Sequence, residues 1–408
     1  MTGFILNLCD IPGSFGLSVP LAGTGGDSCG KGTGRDADLT VGVTAERRSK
    51  SVGCRRSALL PFPAIADTHW QETGHLSGMR LFKRKKKPAR TKKRNHTELL
   101  EAYEAGCFPC QSCSQHVPLQ DLTALQMVAC TKCKGINFVP LKIGAFLLYE
   151  PLGGGGMGSV YKACGGEDPE EVYAVKVLGR EEKTHPVHIQ ALLNEAKTAR
   201  IIGDHRCLIK GIASGYENGE YYSTMECVEG DRLDQLIDLN RKLPEQDVLQ
   251  IGLHILAAEQ HIFNCGFLYR DLKPENIIIN NEGYAVLIDY GLCIPREDAL
   301  DPGDEYVSGS PYYLPPERLL GIGEDACSEI YSLGMVMYYA LSGKTYYDAN
   351  EVEALAKRHV SKVRLAMSSK LRGFRPELQE VMSRMIQQEH TARFQSFVEA
   401  ATAIKAII

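Results

Sequence analysis

The run Tyr269-Arg270-Asp271-Leu272-Lys273-Pro274-Glu275-Asn276 constrains this chain more than any other stretch. It sets an acid, a lysine two residues on and an asparagine five residues on within one short segment. The acid can take a hydroxyl proton, the lysine can neutralise phosphate charge, and the amide oxygen can hold a metal ion. A run this short can match by accident, so its weight depends on companion parts in a matching order.

The companions are present. Leu152-Gly153-Gly154-Gly155-Gly156-Met157-Gly158-Ser159-Val160 fits G-x-G-x-x-G-x-V, and the apolar residues Phe146 to Tyr149 and Val160-Tyr161 predict a strand–turn–strand hairpin around it. Without side chains at Gly153, Gly155 and Gly158, backbone amides can approach phosphate oxygens. A dinucleotide-binding reading needs a helix directly after the glycines, and Val160-Tyr161-Lys162-Ala163 reads as strand. Val172-Tyr173-Ala174-Val175-Lys176-Val177 is an apolar strand carrying one lysine, whose buried ammonium needs an anion. Glu195, within a helix predicted over Ile189 to Ile202, is the candidate; Glu181 and Glu182 lie too close in sequence to sit on that helix. Tyr221 to Gly230 reads as a strand running into a linker, with backbone groups of Glu226 and Val228 facing an adenine edge and Met225 behind. A helix from about Glu245 to Cys265 leads into the opening run, and Ala285 to Gly291 then places Asp289 at the end of a buried strand. There Asp289 can share a magnesium ion with Asn276.

Over about residues 142–408 the chain resembles a eukaryotic-type (Hanks-type) serine/threonine protein kinase, closest in general character to bacterial members. The resemblance implies an α+β bilobal fold, with a β-rich N-lobe and a helical C-lobe, and in-line transfer of the ATP γ-phosphoryl group to protein Ser/Thr hydroxyls. It implies that Asp271 orients the hydroxyl and accepts its proton, and that Lys273 stabilises the transferring charge. Lys176 with Glu195 would position the nucleotide. Cofactor-binding positions are Leu152, Gly153, Gly155, Gly158, Val160, Ala174, Lys176, Met225, Glu226, Val228, Asn276 and Asp289, with Mg2+ (or Mn2+) at the last two. Gly309-Ser310-Pro311-Tyr312-Tyr313-Leu314-Pro315-Pro316-Glu317 resembles the end of an activation segment, with Ser310 bonding the catalytic acid and lysine and Glu317 pairing with Arg393. Arg270 beside Asp271 marks the type regulated by phosphorylation of that segment, with Ser308 as the local candidate. Four residues depart from the family pattern: Tyr269 for histidine, Tyr290 for phenylalanine, Pro315 for alanine, and Glu329 for an aspartate that braces the catalytic loop. A pseudokinase scaffold that binds ATP with little turnover is the rival reading.

Cys110-x2-Cys113, sixteen residues, then Cys130-x2-Cys133 has the spacing of a four-thiolate Zn2+ site over a zinc-ribbon-like module at 98–140. Four thiolates leave no open position, so the metal would be structural. Cys107 is a spare that could replace Cys110. Thr97 to Ala105 reads as one short helix ending at Gly106.

Residues 1–78 carry 13 glycines and little periodicity, and read as a disordered or mis-annotated leader before Met79. Gly25 to Lys31 has P-loop spacing, but Gly32 stands where the metal-binding hydroxyl belongs. The linker 79–97 holds ten basic residues and no acid within 80–94, leaving 36 basic against 50 acidic residues elsewhere. Its default reading is a solvated segment; nucleic acid or an anionic surface is the alternative partner, which would make the protein a tethered kinase. No apolar run approaches the roughly 20 residues that cross a bilayer. Fourteen cysteines without a secretion signal point to a reducing, cytoplasmic setting.

Overall fold

The computed structural model describes residues 6–7, 95–155, 158–300, 306–349, 351–361 and 367–408. All but two residues of the glycine-rich leader, the Gly25–Lys31 loop and the basic run 80–94 lie outside the described residues.

Helix α1 (His96–Glu104) begins one residue before the predicted start, because the Asn95 side chain accepts the Glu98 N–H at 3.2 Å and so fixes the first turn. Two short hairpins follow, β1 (Cys107–Pro109) with β2 (His116–Pro118), and β3 (Met127–Ala129) with β4 (Ile136–Phe138). Strands β5 (Leu141–Ile143), β6 (Phe146–Gly155), β7 (Gly158–Gly165), β8 (Tyr173–Leu178), β9 (Gly211–Glu217) and β10 (Glu220–Glu226) form one antiparallel sheet, in the order β9-β10-β8-β7-β6-β5. Helix α2 (Pro186–Ile202) crosses between β8 and β9. It starts three residues earlier than the apolar pattern predicts, since Pro186 at the first helical turn has its φ preset and loses no needed N–H.

The continuous apolar run Phe146-Leu147-Leu148-Tyr149 is explained by burial on both faces of β6. Phe146 and Leu148 pack with Ile143, Val175, Val177 and Tyr222 on one face. Leu147 and Tyr149 turn to the other, into a core made by Leu99, Phe108, Val117, Val139 and two of the paired cysteines. The cysteine hairpins therefore share their core with the sheet.

Beyond the sheet, β11 (Gly230–Arg232), β12 (Ile277–Asn280) and β13 (Ala285–Leu287) make a three-stranded sheet. It lies on a helical layer built around α3 (Glu245–Asn264), α4 (Ala326–Ser342), α5 (Pro376–Met385) and α6 (Phe397–Lys405). Nearly every residue of α4 is buried, which its low charge permits. One large core joins these helices and takes in Tyr269, Leu272, Ile277 and Tyr290, so the loop carrying Asp271 is anchored in that core. No helix among the described residues is long and apolar enough to cross a membrane.

Candidate active site and thiolate cluster

Register alone gathers several predicted residues. Lys176 on β8 lies opposite Val160 on β7 and Ser223 on β10, and Ala174 lies opposite Met225. Gly158 must be glycine here, since a Cβ would stand 2.3 Å from the Val177 carbonyl oxygen. Gly153 and Gly155 sit on β6 opposite Val160 and Gly158, and Leu152 beside them is half exposed. The Glu226 N–H donates to the Lys210 carbonyl at 3.0 Å. Met225 borders a small apolar cavity with Ala196, Ala199, Ile209 and Tyr290, and Val228 packs against the large core.

Lys176 Nζ lies 2.7 Å from Glu195 Oε2 and 3.9 Å from Asp289 Oδ1. Burial weighs against the ammonium, but the Glu195 and Asp289 carboxylates outweigh it and hold Lys176 above its ordinary value. Asp289 has φ 129° and its Oδ1 accepts the Gly291 N–H at 2.9 Å. Its neighbour Ile288 donates to the Asn276 carbonyl at 2.9 Å, which brings the two candidate metal ligands onto adjoining backbone.

Asp271 Oδ2 accepts from Lys273 Nζ at 2.6 Å and from Asn276 Nδ2 at 2.8 Å. Asn276 Nδ2 also donates to the Asp271 carbonyl at 3.0 Å. Both amide hydrogens of Asn276 are thus spent on Asp271, which leaves its amide oxygen as the group able to meet a cation. Burial pushes the Asp271 carboxyl up, and Lys273 only partly offsets this, so it sits above the ordinary carboxylate value, as suits a proton acceptor. Asn276 Oδ1 and the Asp289 carboxylate are hard oxygen donors of the kind Mg2+ takes.

The departures from the family pattern are accommodated. Tyr290 donates its hydroxyl to the Ile209 carbonyl at 3.0 Å and meets the Tyr269 ring edge-on, 6.4 Å between centroids. The Tyr269 hydroxyl is buried without a hydrogen-bond partner among the described residues. Glu329 reaches the loop: its Oε1 accepts the Arg270 N–H at 3.0 Å. Arg393 and Glu317 form a bidentate pair at 2.5 and 2.9 Å. The Ser310 hydroxyl, in contrast, makes no hydrogen bond to Asp271 or Lys273 among the described residues, whose side chains bond each other instead.

Three residues missed in the sequence also touch this corner. Arg318 donates to the Arg270 carbonyl at 2.6 Å, and Glu324 accepts from both Arg270 and Arg318. Glu259 on α3 is fully buried beside Glu329, with both carboxyl oxygens unpartnered among the described residues. A buried acid on an otherwise apolar helix face was the available signal for Glu259; Arg318 and Glu324 read as ordinary surface charges.

The four sulfurs of Cys110, Cys113, Cys130 and Cys133 lie within 4.8 Å of one another. Cys110 and Cys133 are 3.6 Å apart, and Cys113 and Cys130 3.8 Å. Zinc–sulfur bonds of about 2.3 Å give a tetrahedron with edges of about 3.8 Å, so the cage fits that ion. The two knuckles are built alike: Ser114 and Lys134 adopt left-handed φ of 57° and 62°, and each donates its N–H to the first cysteine carbonyl at 2.9 Å. Asn137 Nδ2 and the Gly135 N–H point at Cys110 and Cys133 sulfurs at 3.5 and 3.4 Å. Despite that Gly135 N–H, Cys113 and the other thiols push Cys133 up to about 12, whereas burial of Cys110 is outweighed by the Cys113 and Ser112 N–H groups, which bring it down to about 6. Cys107 stays apart, donating to the Ala102 carbonyl, which leaves Cys110 in the cluster.

Residues 146–405 match the family described as Protein kinase domain. The chain is 31% identical over 219 residues to the serine/threonine-protein kinase PrkC of Bacillus subtilis, covering 53% of this chain and 33% of that protein. It is 31% identical over 221 residues to a RAC family serine/threonine-protein kinase homolog of Dictyostelium discoideum, covering 53% and 49%. With the serine/threonine-protein kinase PknA of Mycobacterium tuberculosis it shares 28% over 275 residues, 64% of this chain and 62% of that one. The chain thus matches between a third and five-eighths of the length of these relatives.

Proposed function

The chain belongs to the protein kinase domain family through residues 146–405, and on that premise we propose that it transfers the γ-phosphoryl group of ATP to serine or threonine hydroxyls of proteins, its own among them. One observation carries the reading: Asp271 is held between Lys273 and Asn276, and Asn276 is joined by backbone to the strand end that bears Asp289, 3.9 Å from Lys176. We read these as a proton acceptor, two ammonium groups for phosphate and two oxygen donors for a metal, carried on neighbouring backbone.

Asp271 orients the accepting hydroxyl and takes its proton as the new oxygen–phosphorus bond forms and the bond from the γ-phosphorus to the β,γ-bridging oxygen breaks, releasing ADP. Lys273, bonded to the same carboxylate, offsets charge on the transferring group. Lys176 holds nucleotide phosphates, and Glu195 fixes the direction of its ammonium. The backbone around Gly153, Gly155 and Gly158 covers the phosphates, Leu152, Val160 and Ala174 bound the base, and Glu226 and Val228 present backbone groups to its edge. Asn276 and Asp289 would hold magnesium or manganese, whose positive charge would offset the negative charge of the phosphates. The Cys110, Cys113, Cys130 and Cys133 cage would hold a structural zinc ion, closed to substrate. The eleven described cysteines form no disulfide with one another, in keeping with a reducing, cytoplasmic place of work.

Incubating the purified chain with radiolabelled ATP, Mg2+ and a basic protein substrate tests this, with phosphoamino-acid analysis of all labelled products. Phosphoserine or phosphothreonine is the expected product. Phosphotyrosine alone would overturn the acceptor class, and bound nucleotide with no incorporation anywhere would favour a scaffold.

A further inference from the structure

Arg270 is held by protein groups through its N–H, its carbonyl and two of its guanidinium nitrogens. Its guanidinium donates through Nε to Glu324 Oε1 at 3.0 Å, and Nη2 lies 2.9 Å from the same oxygen. Its N–H goes to Glu329 at 3.0 Å, and its carbonyl accepts from Arg318 Nη1 at 2.6 Å. Its φ of 67° is a left-handed conformation that an arginine holds only when its surroundings impose it. Asp271 is the next residue, so whatever fixes this conformation also aims the Asp271 carboxylate.

Glu324 is the centre of the arrangement. It is 2% exposed and takes both guanidinium groups, with Arg318 bound in a fork at 2.7 to 3.0 Å. The carboxylate is itself built in. Its N–H donates to the Ala299 carbonyl at 2.9 Å, and Gly323 before it packs so tightly that a Cβ would stand 2.6 Å from the Leu300 carbonyl. Asp325 after it caps α4, anchoring the segment on the most buried helix of the chain. Arg318 in turn lies 3.4 Å from the Ser308 carbonyl, which ties the stretch before Ser310 to the same carboxylate.

A buried guanidinium without an anion is costly, and an arginine that lacks one inside the fold becomes a receptor for phosphate. Arg270 has an anion already, the Glu324 carboxylate that it shares with Arg318. We propose that Glu324 is a positioning residue, a resident carboxylate that sets Arg270 and through it Asp271, so that the site is assembled without phosphate on Ser308 or its neighbours. This replaces the expectation, drawn from Arg270 alone, of a switch operated by phosphorylation of Ser308. It rests on the phosphotransfer reading for its kinetic consequence, but the arrangement of the loop can be measured without turnover.

The experiment compares three full-length proteins: untreated wild type, wild type stripped of phosphate by a phosphatase and checked by intact mass before and after the assay, and Glu324→Gln. Stripped wild type is expected to keep its kcat within about twofold. Glu324→Gln should lose about 10- to 100-fold in kcat, the scale of a misaimed catalytic group, with its KM for ATP within about threefold. Glu324→Asp should recover part of that loss. A tenfold or greater fall on stripping, or an unchanged kcat in Glu324→Gln, would overturn the proposal. If Glu324→Gln fails to bind nucleotide or to melt cooperatively, the stripped wild type still decides, since its activity does not depend on the variant folding. If the untreated wild type shows no turnover, the phosphotransfer reading fails, and hydrogen exchange over residues 268–276 decides the rest. Exchange about tenfold faster in Glu324→Gln than in stripped wild type supports the resident anion; equal exchange contradicts it.

Discussion

The helical layer and the cysteine hairpins solve the problem of burial in opposite ways. The helical layer closes over a core of large side chains, and its buried arginines find protein partners: Arg393 with Glu317, Arg270 and Arg318 with Glu324. The hairpins hold only a handful of buried apolar residues, borrow Leu147, Tyr149 and Cys164 from the sheet, and gather four sulfurs that protein groups alone cannot neutralise. Cohesion on one side comes from volume and ion pairs; on the other, under the proposed zinc site, it would come from a cation. The hairpins also lie against β6, the strand that carries the glycine loop, so whatever loosens them reaches the nucleotide-binding side first.

That contrast is easiest to break with the metal. Structural zinc contributes about 10 to 16 kcal/mol to folding of isolated finger peptides at neutral pH. Chelation, or Cys130→Ser, should therefore release one equivalent of zinc and abolish hydrogen-exchange protection over 95–140 and the facing side of β6, while α3 and α4 stay protected. Loss spread evenly through the chain, or no loss, would show that the two regions do not differ in this way.

The mirror test is Arg393→Leu, which leaves Glu317 buried and uncompensated. Removing one partner of such a pair costs about 3 to 5 kcal/mol, so urea unfolding of the helical layer should shift by that amount with the zinc content unchanged. A shift below about 1 kcal/mol would mean that the pair is not what closes the layer.

A smaller effect in the other direction is expected from Glu259→Gln. Burial, reinforced by Glu329, holds the Glu259 carboxyl well above its ordinary value in the folded chain. A carboxyl raised by folding gives its full stability below the unfolded value and loses it as pH rises toward the folded one. Thermal stability of the wild type should therefore decline from mildly acidic toward alkaline pH. Glu259→Gln, whose amide can donate to the unpartnered Glu329 Oε2, should flatten that slope and gain about 1 kcal/mol at pH 8. A steeper slope in the variant would contradict the assignment. The smallest effect belongs to Lys142 and Glu104, an exposed pair at 3.2 Å between the hairpin region and the sheet. Lys142→Ala should change stability by less than about 1 kcal/mol, a useful check that packing and metal, rather than surface charge, join the two.

Much of the fold was legible because its signals are local. The order of glycine turn, lysine strand, helix, loop and acid-bearing strand follows from periodicities a few residues long, and a lysine on an apolar strand announces that a carboxylate must come to meet it. The Phe146–Tyr149 run also held more than it first suggested. Four apolar residues in succession on a hairpin imply cover on both faces, and the second cover is the cysteine hairpins. What stayed hidden depends on distance through space. Glu324 and Arg318 are six residues apart in a charged, glycine-bearing segment, and nothing in that pattern says that both are buried or that Arg270 shares them. The contact assigned to Ser310 by resemblance is not made among the described residues: Lys273 and Asn276 both bond Asp271 Oδ2, and the Ser310 hydroxyl bonds neither Asp271 nor Lys273.

The central claim is that Asp271 performs proton transfer in a cleft whose nucleotide grip is built by other residues. Initial rates of phosphoryl transfer from ATP to a basic serine- or threonine-containing peptide, measured for wild type and Asp271→Asn alongside the nucleotide dissociation constant of each, test it most directly. Loss of a positioned general base predicts a fall of at least about 100-fold in kcat with nucleotide affinity within about threefold. Equal rates in the two proteins would contradict the account.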